Sequence, residues 1–362
     1  MKKIKIASFF LTLILAPALF LCAQTAPLKT PKPAVKKAAA KPAAKPAVKP
    51  AAKPAAAPAV KAAAPAAKPA AVLPADPFAE AVQKLKAKEP AVRRQGADFL
   101  GASRDQKAVP HLVKALGDEA GAVRSSAADG LCQLVHREST AKISELLLKD
   151  KDALVRQQAA SSLSYMADQA AGPALVKALK DEAPAVRYAA ANTLGALRYA
   201  PAEDKLVELL DDAAMRRVVV SALGQMQSKK AAPAIFKLLA DPDKYTRLEA
   251  VRALGAIGDK SAAPELAKRL DKAEEPHVRV EAALALAKLG SADGLVTAYE
   301  FVKAPDLSLK NQALEVIGSI GDKRSLQFIE ELYVGEKDPV SKNMLDFTRQ
   351  RLAARLQLQV KP

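Results

Sequence analysis

Three residue types that build most sites are scarce in this chain. It has three histidines, two cysteines and no tryptophan in 362 residues, and aromatics make up 4 %. His111, His136 and His277 are far apart, and none precedes a Glu, so no metal-ligand set can be drawn from them. Cys22 lies in an N-terminal apolar run, so a chain cleaved there keeps only Cys132 and forms no internal disulfide. A Walker-type phosphate loop, a Gly-x-Ser-x-Gly elbow and a paired-cysteine motif are all missing. Residues 1–74 hold no acidic residue but 13 lysines, which is +13 of the formal +17. The other 288 residues carry only +4, so the basic pI says nothing about nucleic acid for most of the chain.

The N-terminus reads as an export signal. Three lysines within Met1–Lys5 precede an apolar run over 6–23, broken by Pro17. Leu21-Cys22-Ala23 suits cleavage before Gln24, placing the protein in the periplasm or outside the cell. The alternatives are an uncleaved membrane anchor over 6–23, just long enough to span, and a lipoprotein at Cys22. Lys29, Lys32, Lys36 and Lys37 sit badly with translocation. Once the signal is cut, no transmembrane span is expected.

Residues 24–74 contain 11 Pro and 10 Lys among Ala and Val, with no Gly. Such a segment buries no core and favours an extended, disordered, polyproline-like linker of at most roughly 160 Å. The plainer reading is a solvated spacer; the other is a stalk weakly attracted to acidic polymers. Lys without Arg or aromatics gives no specific nucleic-acid binding.

The rest is repetitive. A phrase of the form Val-Arg-x-x-Ala-Ala-x-x-Leu-Gly begins at Val92, Val123, Val155, Val186, Met215, Thr246, Val278, Leu309 and Val340. Steps of 31, 32, 31, 29, 31, 32, 31 and 31 residues mean a solenoid, whose units bury their apolar faces against one another. With the first residue of the phrase as position 0, positions 0, +4 and +8 make one apolar stripe of a helix B. Small residues at +4 and +5 allow close packing. The frequent Gly at +9 suits a helix end. Upstream, Pro110, Pro173, Pro233 and Pro264 mark the starts of a helix A.

An Asp precedes most of the Arg residues at position +1. The pairs are Asp118–Arg124, Asp150–Arg156, Asp181–Arg187, Asp211–Arg216, Asp241–Arg247 and Asp271–Arg279. Each Arg is placed to bridge to the turn of its own or the neighbouring unit, giving a structural ladder of charge-assisted bonds.

The phrase, the Asp–Arg spacing and the short unit resemble the HEAT-repeat family, in its short phycobilisome-lyase-type form, over about residues 76–345. The resemblance implies an all-α fold for 75–362: a right-handed α-solenoid of about nine helix pairs, with B helices lining the concave face. Its end units, around Asp76-Pro77-Phe78 and Pro339 to Leu358, should act as caps. B-helix positions +2, +3, +6 and +10 then face a ligand, including Val280 and Leu284. The residues expected to contact a partner are Arg94, Gln157, Gln158, Tyr165, Tyr188, Asn192, Arg217, Gln225 and Arg252, centred on Tyr165 and Tyr188. Amides and tyrosines suit a protein or peptide partner in the cell envelope. The expected function is a non-enzymatic scaffold or adaptor, with no catalytic residue, cofactor or metal. The alternative is a lyase- or hydroxylase-like enzyme, related to bilin lyase or deoxyhypusine hydroxylase, with an unrecognised site. Cys132 takes the small +9 position and reads as packing.

Overall fold

The computed structural model describes residues 76–357. Residues 1–75, which include the expected export signal (1–23) and linker (24–74), lie outside the described residues, as do the last five.

Nine antiparallel helix pairs follow one another. They are α1 (Pro77–Lys84) and α2 (Pro90–Ala102), α3 (Val109–Ala115) and α4 (Gly121–Gln133), and α5 (Thr140–Lys149) and α6 (Ala153–Met166). Next come α7 (Gly172–Ala178) and α8 (Pro184–Ala196), α9 (Glu203–Glu208) and α10 (Arg216–Gln225), and α11 (Ala232–Leu238) and α12 (Lys244–Ile257). The stack ends with α13 (Ala263–Lys268) and α14 (Pro276–Lys288), α15 (Leu295–Phe301) and α16 (Leu307–Ile320), and α17 (Lys323–Gly335) and α18 (Pro339–Arg355). The described residues contain no strand. Odd-numbered helices are the A row and even-numbered helices the B row. Successive B helices pack closely along the whole stack, whereas most A helices touch their neighbours sparsely. The B row is therefore the inner row.

The stripe is buried as the periodicity predicts. Ala127 and Leu131 are fully buried, as are Ala159 and Leu163, Ala190 and Leu194, and Ala250 and Leu254. Proline opens α3, α7, α11 and α13, where its missing N–H removes no helix bond. A single 3-10 turn precedes each of these A helices, which the sequence pattern did not show.

The glycines at +9 do not end the helices. They lie within the last turn, at the contact between B helices. A Cβ on Gly101 would sit 2.5 Å from the Gly130 Cα, one on Gly195 2.7 Å from the Ala222 Cα, and one on Gly224 2.9 Å from the Ala253 Cα. Position +9 of one helix thus meets +7 of the next, backbone against backbone. The chain reverses three residues later, at +12, in the left-handed region. Arg104, Val135, Ala167, Arg198 and Gln227 adopt it at φ of 48–57°, and Gly258 and Gly290 at 75° and 82°.

Two units depart from the expected register. In the last pair Val340 is 53 % exposed, while Ser341, Leu345 and Leu352 are buried. Lys310 Nζ donates to Ser341 Oγ at 2.9 Å and holds it inward, so Ser341 is the true position 0. In the seventh pair Val280 and Leu284 are buried with Ala313 and Leu314, not presented outward. There α14 packs Val280, Ala283, Leu284 and Ala287 into the cluster that includes α16, and Val278, Ala282, Ala285 and Leu286 into the core of the preceding units.

Candidate interaction surface

The arginines order one rim of the stack. All but Arg187 reach two units at once, using different edges of the guanidinium. Arg124 donates from Nη1 to the Asp118 and Glu119 carbonyls of its own turn, at 2.8 and 3.0 Å. Its Nε and Nη2 donate to both Asp150 oxygens of the next unit, each at 2.7 Å. Arg156 repeats this with the Asp150 carbonyl and the Asp181 carboxylate. Arg93, not singled out by the sequence pattern, does the same with the Ala87 and Lys88 carbonyls and Asp118. Of the two bridges the spacing left open, to the Arg's own turn or to the neighbouring one, both form: an Arg takes the carbonyl of its own Asp and the carboxylate of the following one. The bidentate pairs are largely buried, with Arg124 and Asp150 side chains 9 % and 4 % exposed.

Hydrogen bonds from Arg93 hold Asp118 below the ordinary carboxylate range, against burial, and the Ala120 amide adds to them. Burial pushes Asp150 and Asp181 upward; the bonds from Arg124 and Arg156, with one backbone amide each, outweigh it and the net shift is down.

Further along, the rungs change partners. Arg216 donates to Leu210 and Asp211 carbonyls and to Asp241. Arg247 takes the Asp241 carbonyl and, because of the insertion before Pro276, the Glu274 carboxylate. Arg279 pairs with Glu300, not with Asp271. Asp211 contributes only a carbonyl, at 3.4 Å, and its carboxylate joins no rung. Arg187 keeps the Asp181 and Glu182 carbonyls but makes no ion pair among the described residues.

All nine residues expected to meet a partner retain exposed surface. Arg94, Gln157 and Gln158 come together in a groove of about 580 Å³ across α2, α4 and α6, with Asp98, Asp129 and Leu154. Leu154 is 71 % exposed and was not anticipated: it lies just before position 0, outside the stripe. Tyr165 and Tyr188 do not cluster. Tyr165, 64 % exposed, ends α6, whereas half-buried Tyr188 lies near the start of α8. Eight residues of phase separate them along parallel helices, about 12 Å at the helical rise. No ring contact joins them among the described residues.

Several of the polar residues are already engaged. Gln158 donates to Ser162, which donates to Asp129. Arg94 pairs with Asp98 at 3.5 Å, and Arg252 with Glu249 and the buried Glu281. Arg217 lies 5.8 Å from the centre of the Tyr245 ring, with Lys244 at 5.5 Å. Tyr245 is 56 % exposed and belongs to the same surface; like Leu154 it precedes position 0. Asn192 and Gln225 are exposed.

The described residues hold no group of three or more His, Cys, Asp or Glu placed to bind a metal ion. Cys132 is fully buried, and burial, aided by Asp129, pushes its thiol well above the ordinary value. It has no thiolate character near neutral pH. No described helix is long and apolar enough to cross a membrane.

Repeating pairs, an inner B row and a shared Arg rim define a helical-repeat solenoid. The family described as HEAT repeats matches residues 78–164, 140–218, 203–275 and 263–344. The chain belongs to the HEAT-repeat family. Among solved structures it is similar to the phycocyanin lyase CpcE–CpcF complex of a Nostoc species, at 26 % identity and a TM-score of 0.41, covering 65 % of this chain and 98 % of that one. It is also similar to human deoxyhypusine hydroxylase in complex with glycerol, at 20 % identity and a TM-score of 0.31, covering 67 % and 95 %. The comparison with curated proteins finds no significant match.

Proposed function

We propose that this protein is a non-enzymatic scaffold that holds a protein or peptide partner on the inner, B-helix face of its solenoid. The observation that carries this reading is the continuous B row, on which six of the nine predicted contact residues are exposed, the other three are half-buried, and three share one groove. A surface of amides, tyrosines and paired charges suits many modest contacts to a folded or extended chain. The signal-like residues 1–23 support a setting in the periplasm or outside the cell, with residues 24–74 as a spacer.

Affinity capture from envelope extract tests the proposal. The full chain should retain a partner, and Tyr165→Ala with Tyr188→Ala should weaken capture without changing helicity. Capture equal in the double variant, or capture by the linker segment alone, overturns the inner-face reading.

A further inference from the structure

We propose that Arg187 is an open carboxylate-binding fork on the solenoid rim, to which the partner presents a carboxylate; this rests on the scaffold reading above. The comparison is internal to the molecule. In Arg93, Arg124 and Arg156, Nη1 is pinned by a carbonyl of the preceding turn, while Nε and Nη2 grip the two oxygens of a carboxylate. Arg187 is pinned the same way, at 2.8 and 3.1 Å from the Asp181 and Glu182 carbonyls. Its Nε and Nη2 have no partner among the described residues.

The vacancy has a sequence cause. The step from Val186 to Met215 is 29 residues, the shortest in the chain. Counting back five from position 0, where Asp118, Asp150, Asp181 and Asp241 stand in their units, places Leu210 there. Leu210 is buried and has no carboxylate. Asp211 and Asp212 are exposed, and Asp212 turns to the Ala214 amide. Glu182 is committed to Arg156 at 3.0 Å. No described residue fills the fork.

Its occupant follows from the other rungs. The same donor edge, held the same way, takes two carboxylate oxygens at 2.7–2.9 Å three times in this molecule. Planar bidentate pairing is the geometry that guanidinium and carboxylate share. Half-buried Tyr188, the next residue in α8, and exposed Arg217 and Tyr245 of the two following B helices lie at the same end of the row, so an acidic side chain or a C-terminal carboxylate would arrive beside the proposed contact face.

The test uses the full chain. Fluorescein-labelled hexaglutamate amide is titrated against wild type, Arg187→Gln and, as a control, Arg104→Gln on the opposite rim. Arg187→Gln should weaken binding about tenfold, the loss of one charge-assisted bidentate contact, and Arg104→Gln should leave it within twofold, a margin of about 0.4 kcal/mol. A hexa-alanine peptide with a free C-terminus, run beside its amide, separates the chain-end source from the side-chain source. Folding of the variant is bypassed by following the Arg187 Nε–H resonance of wild type. It should shift saturably with acetate and not with chloride at equal ionic strength. An equal shift in both salts, equal binding by Arg187→Gln, or binding of inorganic phosphate without any carboxylate overturns the inference. A fork that takes no carboxylate, in a chain that still captures its partner, refutes this inference and spares the scaffold reading. A chain that captures nothing fails that reading instead.

Discussion

Replacing Gly195 with Ala should destabilise this protein, although Ala is the better helix former. The new Cβ would lie 2.7 Å from the Ala222 Cα, 3.0 Å from its Cβ and 3.1 Å from its carbonyl oxygen. Carbon atoms rest at about 3.5–4.0 Å, so α8 and α10 must part locally by roughly 1 Å. The obstacle is backbone, with no flexible tip to move aside. Overpacking of this kind costs about 1–3 kcal/mol, and helix propensity returns about 0.8–1 kcal/mol. With backbone resisting, the net loss is about 1–2 kcal/mol, or a Tm lower by roughly 2–8 °C for a domain of this size. Gly335→Ala is the matched control, because nothing lies within 4 Å of its Cβ position. Thermal unfolding followed by circular dichroism compares the two variants, and hydrogen exchange locates the change to α8 and α10. A Gly195→Ala protein as stable as wild type, or as Gly335→Ala, would refute the backbone-contact seam.

The remaining predictions concern the rim and the turns. Asp150→Ala should cost about 3 kcal/mol, the lower end for breaking a buried pair, because it strands the 9 %-exposed Arg124 side chain; denaturant titration showing under about 0.5 kcal/mol, the scale of an exposed pair, would contradict this. Asp118, Asp150 and Asp181 have folded-state pKa values below their unfolded ones. Their contribution is therefore present above about pH 4 and lost as pH falls through the lower, folded values. Tm should begin to drop as pH falls below about 4, the unfolded carboxylate value, and keep dropping toward lower pH, and the triple Asp→Asn variant should flatten that drop. Val135→Asn should raise stability by about 1 kcal/mol, because a β-branched residue is strained in the left-handed region, where Val135 has φ 54°; a Tm unchanged or lower would count against that strain.

The period and the inner stripe were legible because both are local: Val186, Ala190 and Leu194 repeat at helical spacing whatever surrounds them. Contacts between units were not. The role of Gly195 depends on Ala222, which lies 27 positions away and has no unusual composition of its own. The Asp and Arg of the rim were visible, but one guanidinium serves two turns, so sequence spacing left open which turn supplies the carbonyl and which the carboxylate. Val340 looked like the ninth copy because it is apolar. Its exposure, the burial of Ser341 and the Lys310–Ser341 bond reveal that a polar residue took the inward place. The interaction surface was read from helical phase, which left none of the nine residues buried but said nothing of distance along the axis. Hence Tyr165 and Tyr188 were joined when they stand apart, and Leu154 and Tyr245, one residue before the phrase, went unnoticed.

The central claim is that recognition occurs on the B row. Hydrogen exchange of the full chain, free and bound to its captured partner, tests it most directly. Slowed exchange should concentrate in the first turns and exposed faces of α6, α8, α10 and α12, leaving α5, α7, α9 and α11 unchanged. Protection confined to that A row, or spread over neither row, would contradict the account.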